Sequence, residues 1–295
     1  MPRLLSKRYL QRTVRKSSTI VLPLLIIPFV LYHLLAYPLA NDLVPGVFRT
    51  AKSILLVTAH PDDESLFFGP STLYRADDQS VTRSLLVFSD GNYRGLGDLR
   101  RSELQRSCAE LGITVERCVN VDHAELQDDP HKWWNEDLIE EIVAEYVKKW
   151  NVDLIFTFDP SGISGHINHR AINAGVSKYV SKNPQGPPGY ALQTKSWLRK
   201  YAGWGDLVPT AVPFTGRIVR ALVTPRPGDD GTVGGKNAKS GDDSYGDKAL
   251  VVSNWRDYFR ARRAFGHHGS QYSFDRRFYL IISRYMWYND LRKML

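Results

Sequence analysis

Ile54-Leu55-Leu56-Val57-Thr58-Ala59-His60-Pro61-Asp62-Asp63-Glu64 is the stretch on which the fold turns. Its first part is a short unbroken apolar run, the pattern of a strand buried on both faces of a parallel sheet. Its second part sets a histidine and three acids where that strand ends. Such a strand needs parallel neighbours joined by helices, and the flanking sequence supplies them. Residues 84–88, 118–121 and 152–158 are further strand-like apolar runs. Between them, residues 100–111 carry Leu104, Cys108 and Leu111 at helical spacing and stop at Gly112. Glu136–Trp150 carries Leu138, Ile139, Ile142, Val143 and Tyr146 on one face, behind Asn135 as a cap. The expected fold is α/β and Rossmann-like, a largely parallel sheet with helices on both faces.

Ligands in such sheets bind at the carboxyl ends of strands. Two of the expected strands run directly into polar segments. One is Ala59–Glu64; the other is Gly165-His166-Ile167-Asn168-His169. Adjacent carboxylates raise one another's pKa, and a cation relieves that cost. His60 and Asp63 are three residues apart, as are His166 and His169. Together they offer two imidazoles and a carboxylate as ligands, with one of each to spare. That set suits Zn2+ or another divalent first-row metal with positions open for water and substrate. Alone, a His-x-x-His is more often structural and an Asp-Asp-Glu run is usually a solvated face. Their conjunction at strand ends points to a metal-dependent hydrolase. The spare Asp62 suits a proton acceptor, and the spare His166 suits stabilising or protonating a leaving group.

These segments, with Arg100-Arg101-Ser102-Glu103-Leu104 and His268-Gly269-Ser270-Gln271, resemble the PIG-L (LmbE-like) de-N-acetylases. The likeness runs from about residue 53 to the end of the chain, and residues 270–286 look like the eukaryotic branch. The resemblance implies His60, Asp63 and His169 as metal ligands, Asp62 as general base and His166 as the group that stabilises the tetrahedral intermediate. It places Glu64, Arg100, Glu103, His268 and Gln271 near the substrate or behind the ligands. It implies deacetylation of N-acetylglucosaminyl-phosphatidylinositol in GPI-anchor synthesis, at the endoplasmic reticulum membrane with the catalytic domain in the cytosol. The readings that compete are a de-N-acetylase of another N-acetylglucosamine conjugate and a non-catalytic lipid-binding protein that kept the fold.

Residues 19–39 read TIVLPLLIIPFVLYHLLAYPL, uncharged and long enough to span a bilayer core. A single transmembrane helix is expected there, between a basic tail (residues 1–18) and the enzymatic domain (residues 51–295), with Tyr32 and Tyr37 at the lipid boundary. The six cations of residues 1–16 favour a cytosolic N-terminus, which would put the domain across the membrane. The absence of any Asn-x-Ser/Thr acceptor leans the other way. The net charge of +8 is carried at the two ends of the chain, with an acidic middle. That distribution fits anionic headgroups and not a nucleic-acid groove. Cys108 and Cys118 are expected as two small buried thiols, residues 224–248 as a disordered loop, and the face of Phe278, Ile281, Ile282 and Tyr285 as core within a helical stretch 274–292.

Overall fold

The apolar run of residues 54–57 is a strand, β1 (Ser53–Thr58), buried at every position. The structure, a computed structural model, describes residues 7–224 and 246–295, with side chains from residue 22 onward. β2 (Thr82–Val87), β3 (Cys118–Asn120), β4 (Leu154–Phe158) and β5 (Gly189–Leu192) lie parallel to β1. β6 (Lys248–Val252) and β7 (Tyr288–Lys293) complete one sheet, ordered β3-β2-β1-β4-β5-β7-β6, with β7 antiparallel to both neighbours. Ile54 is paired with Leu154 and Leu56 with Phe156, so β1 and β4 end side by side.

From β1 the chain moves outward through β2 to β3, then crosses back to β4 and continues to β5. Right-handed crossovers running in opposite directions put their helices on opposite faces of the sheet. The gap between β1 and β4 is the switch point, where such sheets open a crevice. The helices match their sequence signals. Gly97–Leu111 buries Leu104, Cys108 and Leu111 and stops at Gly112. Glu136–Trp150 starts where the Asn135 side chain accepts from the Asp137 and Leu138 amides.

Four expectations are corrected. First, among the described residues no helix is long and apolar enough to cross a membrane. The helix Lys7–Ala36 runs through most of the expected span, but its last turns belong to the globule. Tyr32 and Leu35 are fully buried, Leu39 nearly so, and the Tyr32 hydroxyl donates to the Ser253 carbonyl at 2.8 Å. Pro28 is buried and Leu31 packs against the core, so the packing reaches back into the middle of the expected span. Tyr32 is therefore a core residue, stacked on Trp204 at 5.0 Å, and not a lipid-boundary one.

Second, Cys108 and Cys118 form a disulfide, tying the end of the helix Gly97–Leu111 to the start of β3. Third, the stretch 274–292 is not one helix: Phe274–Ile282 stops at Ser283, a short helix Arg284–Trp287 follows, and β7 takes the rest. Tyr285 is core, but Phe278, Ile281 and Ile282 are exposed. Fourth, the expected loop 224–248 gives up its last residue, Lys248, to β6. Its residues 225–245 lie outside the described residues.

Candidate metal centre and active site

β1 ends in a turn that the sequence holds under tension. Asp62 sits at φ +117°, a region L-residues avoid, and two neighbouring carboxylates stabilise it there. Glu64 Oε2 accepts from the Asp62 amide at 3.0 Å. Asp63 Oδ2 accepts from the His60 amide at 2.8 Å and the Ala59 amide at 3.2 Å. With one oxygen so engaged, Asp63 turns Oδ1 toward His169 Nε2 at 3.3 Å. His169 arrives from the start of the helix Ile167–Lys182, which follows β4, and its ring is stacked on Phe158 at 4.0 Å.

The two imidazoles face each other, with His60 Nδ1 3.3 Å from His169 Nε2. Each has its other nitrogen tied elsewhere. His169 Nδ1–H donates to the Gly162 carbonyl at 3.1 Å. His60 Nε2–H donates toward Asn168 Oδ1 and Asp128 Oδ1, both at 3.2 Å. The facing nitrogens therefore both present lone pairs, and a carboxylate oxygen stands 3.3 Å from one of them and another 3.7 Å from the other. Lone pairs gather this way around a cation. Ligands about 2.0–2.2 Å from a tetrahedral metal stand about 3.3 Å apart. His166 adds a third imidazole: donor atoms of His60, His166 and His169 all lie within 4.8 Å of one another. The buried Nδ1 of His166 has no hydrogen-bond partner among the described residues. The donor set fits a divalent metal.

Charges divide the two aspartates. Burial would raise Asp63, but His169 and His60 hold its carboxyl well below the usual range. Burial pushes Asp62 up to about 6, opposed by the Arg100 guanidinium 3.6 Å away. Burial, then the neighbouring His60 and His169, lower His166 to about 4, so its ring is neutral at physiological pH. Burial pulls His60 down, but its hydrogen bond to Asp128 and the charges of Asp63, Asp128 and Asp62 outweigh that and raise it. Arg100 also donates to the Pro61 and Gly91 carbonyls. Gly91 sits at φ +71°, where an L-residue is strained, and a Cβ there would stand 2.1 Å from the Arg100 guanidinium.

The structure brings most of the sequence-chosen residues together. His60, Asp62, Asp63, Arg100, His166 and His169 line one open cavity of about 280 Å3. Glu64 lies behind it, hydrogen-bonded to His268 at 2.7 Å and Ser107 at 2.6 Å. Glu103 does not face the cavity; it anchors the turn of Ser270 through the amide at 2.8 Å and the hydroxyl at 2.6 Å. Gln271 lines an adjoining cavity of about 360 Å3 that shares Arg100, Asp128 and Arg276 with the first. Sequence reading missed Asp128, Asn168 and Lys200. Asp128 lies in the polar stretch after β3, and the rule that sites gather at strand carboxyl ends would have picked out that stretch.

The family model for PIG-L, GlcNAc-PI de-N-acetylase, matches residues 55–180. Over 239 residues the chain is 35% identical to the N-acetylglucosaminyl-phosphatidylinositol de-N-acetylase of Bos taurus, covering 80% of this chain and 81% of that one. The chain belongs to the PIG-L family. Another PIG-L relative, the probable N-acetylglucosaminyl-phosphatidylinositol de-N-acetylase of Schizosaccharomyces pombe, is 36% identical over 59% of this chain and 70% of its own. Among solved structures, the N,N'-diacetylchitobiose deacetylase of Pyrococcus horikoshii matches with a TM-score of 0.53 at 16% identity, covering 88% of this chain and 90% of that one. That likeness shows the PIG-L fold. The family match takes in both motif segments, and the site stands where the fold opens between β1 and β4.

Proposed function

We propose that this chain removes the acetyl group from N-acetylglucosaminyl-phosphatidylinositol, releasing acetate and glucosaminyl-phosphatidylinositol, with a divalent metal, Zn2+, held by His60, Asp63 and His169. The observation that carries the reading is the facing pair His60 Nδ1 and His169 Nε2, 3.3 Å apart with Asp63 beside them, in a chain of this family. When bound, the metal supplies a Lewis acid that polarises the acetamide carbonyl and acidifies water. Asp62 takes a proton from the attacking water. With its pKa near 6 it is ionised at neutral pH yet basic enough to work, and Arg100 holds it in place. The water oxygen bonds to the acetyl carbon, and the carbonyl oxygen gains charge. A neutral His166 donates a hydrogen bond to that oxygen and does not protonate it. The C–N bond then breaks, and Asp62 returns its proton to the departing sugar nitrogen.

The reading places the enzyme at the endoplasmic reticulum membrane, its catalytic domain (residues 51–295) facing the cytosol and residues 1–18 a basic tail. The exposed apolar residues Leu22 to Val30 support membrane contact. The absence of Asn-x-Ser/Thr acceptors supports the cytosolic side. The Cys108–Cys118 bond stands against it, since cytosolic thiols are kept reduced; protease protection in sealed microsomes decides the side. The activity test is mass spectrometry of N-acetylglucosaminyl-phosphatidylinositol incubated with purified, metal-loaded protein. Loss of one acetyl group is expected. Unchanged lipid, with acetate released from a different N-acetylglucosamine conjugate, overturns the substrate assignment.

A further inference from the structure

Two helices that line the metal cavity also carry exposed apolar side chains. On the helix Phe274–Ile282, Phe274 is 73% exposed, Phe278 52%, Ile281 52% and Ile282 42%. Their spacing puts them on one helical face, while Tyr279 and Leu280 hold the opposite face in the core. The same helix forms a wall of the site, because Arg276 lines both polar cavities. A second segment repeats the arrangement. On the helix Trp197–Lys200, Trp197 is 72% exposed and Leu198 74%, while Lys200 lines the metal cavity. The two are neighbours, linked through Tyr201, whose ring meets Trp197 at 5.6 Å and Tyr279 at 6.0 Å.

The apolar surface continues away from the site. Ile281 and Ile282 line an apolar cavity of about 260 Å3 with Tyr201, Trp204 and Trp287. Trp204 packs against Phe29 at 5.8 Å, which joins this cavity to the exposed apolar stretch from Leu22 to Val30. On the same two segments Lys200 and Arg276 each lie over the Tyr279 ring at 5.7 Å, and Arg277 lies over Tyr272 at 5.9 Å. Protein–protein interfaces are depleted of lysine, though not of arginine or aromatics, and Lys200 stands beside this surface. Aromatic and aliphatic tips alternating with cations are the pattern of segments that settle into anionic lipid headgroups.

We infer that Trp197, Leu198, Phe274, Phe278 and Ile281 form a membrane-docking rim that enters an anionic leaflet and sets the metal cavity against the headgroup layer. The inference rests on the proposed lipid-linked substrate and adds the face through which the enzyme meets it. Lys200 and Arg276 then stand at the depth of lipid phosphates, between the bilayer and the metal ligands.

The test uses the full chain. Phe278→Cys is labelled with an environment-sensitive fluorophore, the native cysteines being bonded to each other. Phosphatidylcholine vesicles containing phosphatidylinositol are expected to shift its emission to the blue, and nitroxide-labelled lipid is expected to quench it. Glu116→Cys, at the far end of the sheet, should show neither. The combined variant Trp197→Ser, Phe278→Ser, Ile281→Ser should lose about tenfold or more of its rate on substrate in vesicles. It should keep its rate on an acyl-free, water-soluble N-acetylglucosaminyl-inositol phosphate. A label at residue 278 that lipid does not quench, as expected if a protein covers this face, overturns the inference. So does an equal rate loss on both substrates. If the unaltered enzyme deacetylates neither substrate while the label is quenched, the assigned reaction fails and the docking rim stands.

Discussion

His268 Nε2 lies 2.7 Å from Glu64 Oε1, and neither side chain has any exposed surface. The pair ties the C-terminal part of the chain to the turn beside the proposed metal ligands. Through its other oxygen Glu64 holds the Asp62 amide, so His268 acts on the proposed general base at one remove. Removing one member of a buried pair leaves the other charge uncompensated. His268→Ala should destabilise the protein by about 3–5 kcal/mol in urea unfolding. His268→Gln, which can still donate to Glu64, should recover part of that. Equal stability for the alanine variant and the parent would show that the pair does not brace the turn.

The Cys108–Cys118 bond closes a loop over a sequence separation of 10 at the amino end of β3, away from the site. Chain-entropy arguments put a bridge of this span at about 3 kcal/mol. Reduction, or Cys118→Ala, should lower unfolding stability by about that amount and leave deacetylation unchanged. A loss of activity without a loss of stability would mean that the bridge bears on the site.

Asp128 went unread because no motif links its loop to His60, and the two meet at 3.2 Å only through the fold. Partners of this kind orient a ligand and raise its basicity, and their loss costs about 10–100-fold in metal affinity. Asp128→Ala should weaken Zn2+ binding by that factor, measured by competition with a chromophoric chelator. Full removal of metal by a chelator should abolish deacetylation, and added Zn2+ should restore it. Unchanged affinity in the variant would leave Asp128 as a cavity-wall residue and nothing more.

What the sequence disclosed and what it hid follow from the range of each signal. β1, β4 and the helices behind them were legible because burial on both faces, or on one, leaves a periodic trace within about ten residues. Six of the residues that line the metal cavity were legible because two short segments at strand ends carry five of them. The disulfide was not, because a helix end and a strand start come together only through the fold. The end of the expected anchor was misread for a related reason. Tyr32, Leu35 and Leu39 are as apolar as a membrane span requires, and only their burial, with Tyr32 stacked on Trp204 and bonded to the Ser253 carbonyl, reveals that they belong to the globule. Phe278 and Ile281 failed in the opposite sense, since an apolar helical face reads alike whether protein or lipid covers it.

Asp62 and Asp63 are adjacent, both buried, and assigned different work. Asp63 turns one oxygen to the His60 amide and the other to His169, so it sits within the donor cluster. Asp62, forced to φ +117°, leaves the turn in another direction and has the Arg100 guanidinium 3.6 Å away. Asp62→Asn should therefore keep the metal and lose the proton acceptor. General-base contributions are about 10²–10⁴-fold, so the deacetylation rate should fall by that much with KM little changed. Asp63→Asn should instead weaken metal binding, and excess metal should restore part of its activity. Metal content and rate, measured for both variants across a Zn2+ titration, separate the roles. If added metal rescues Asp62→Asn, while Asp63→Asn is inactive yet fully loaded, the two assignments must be exchanged.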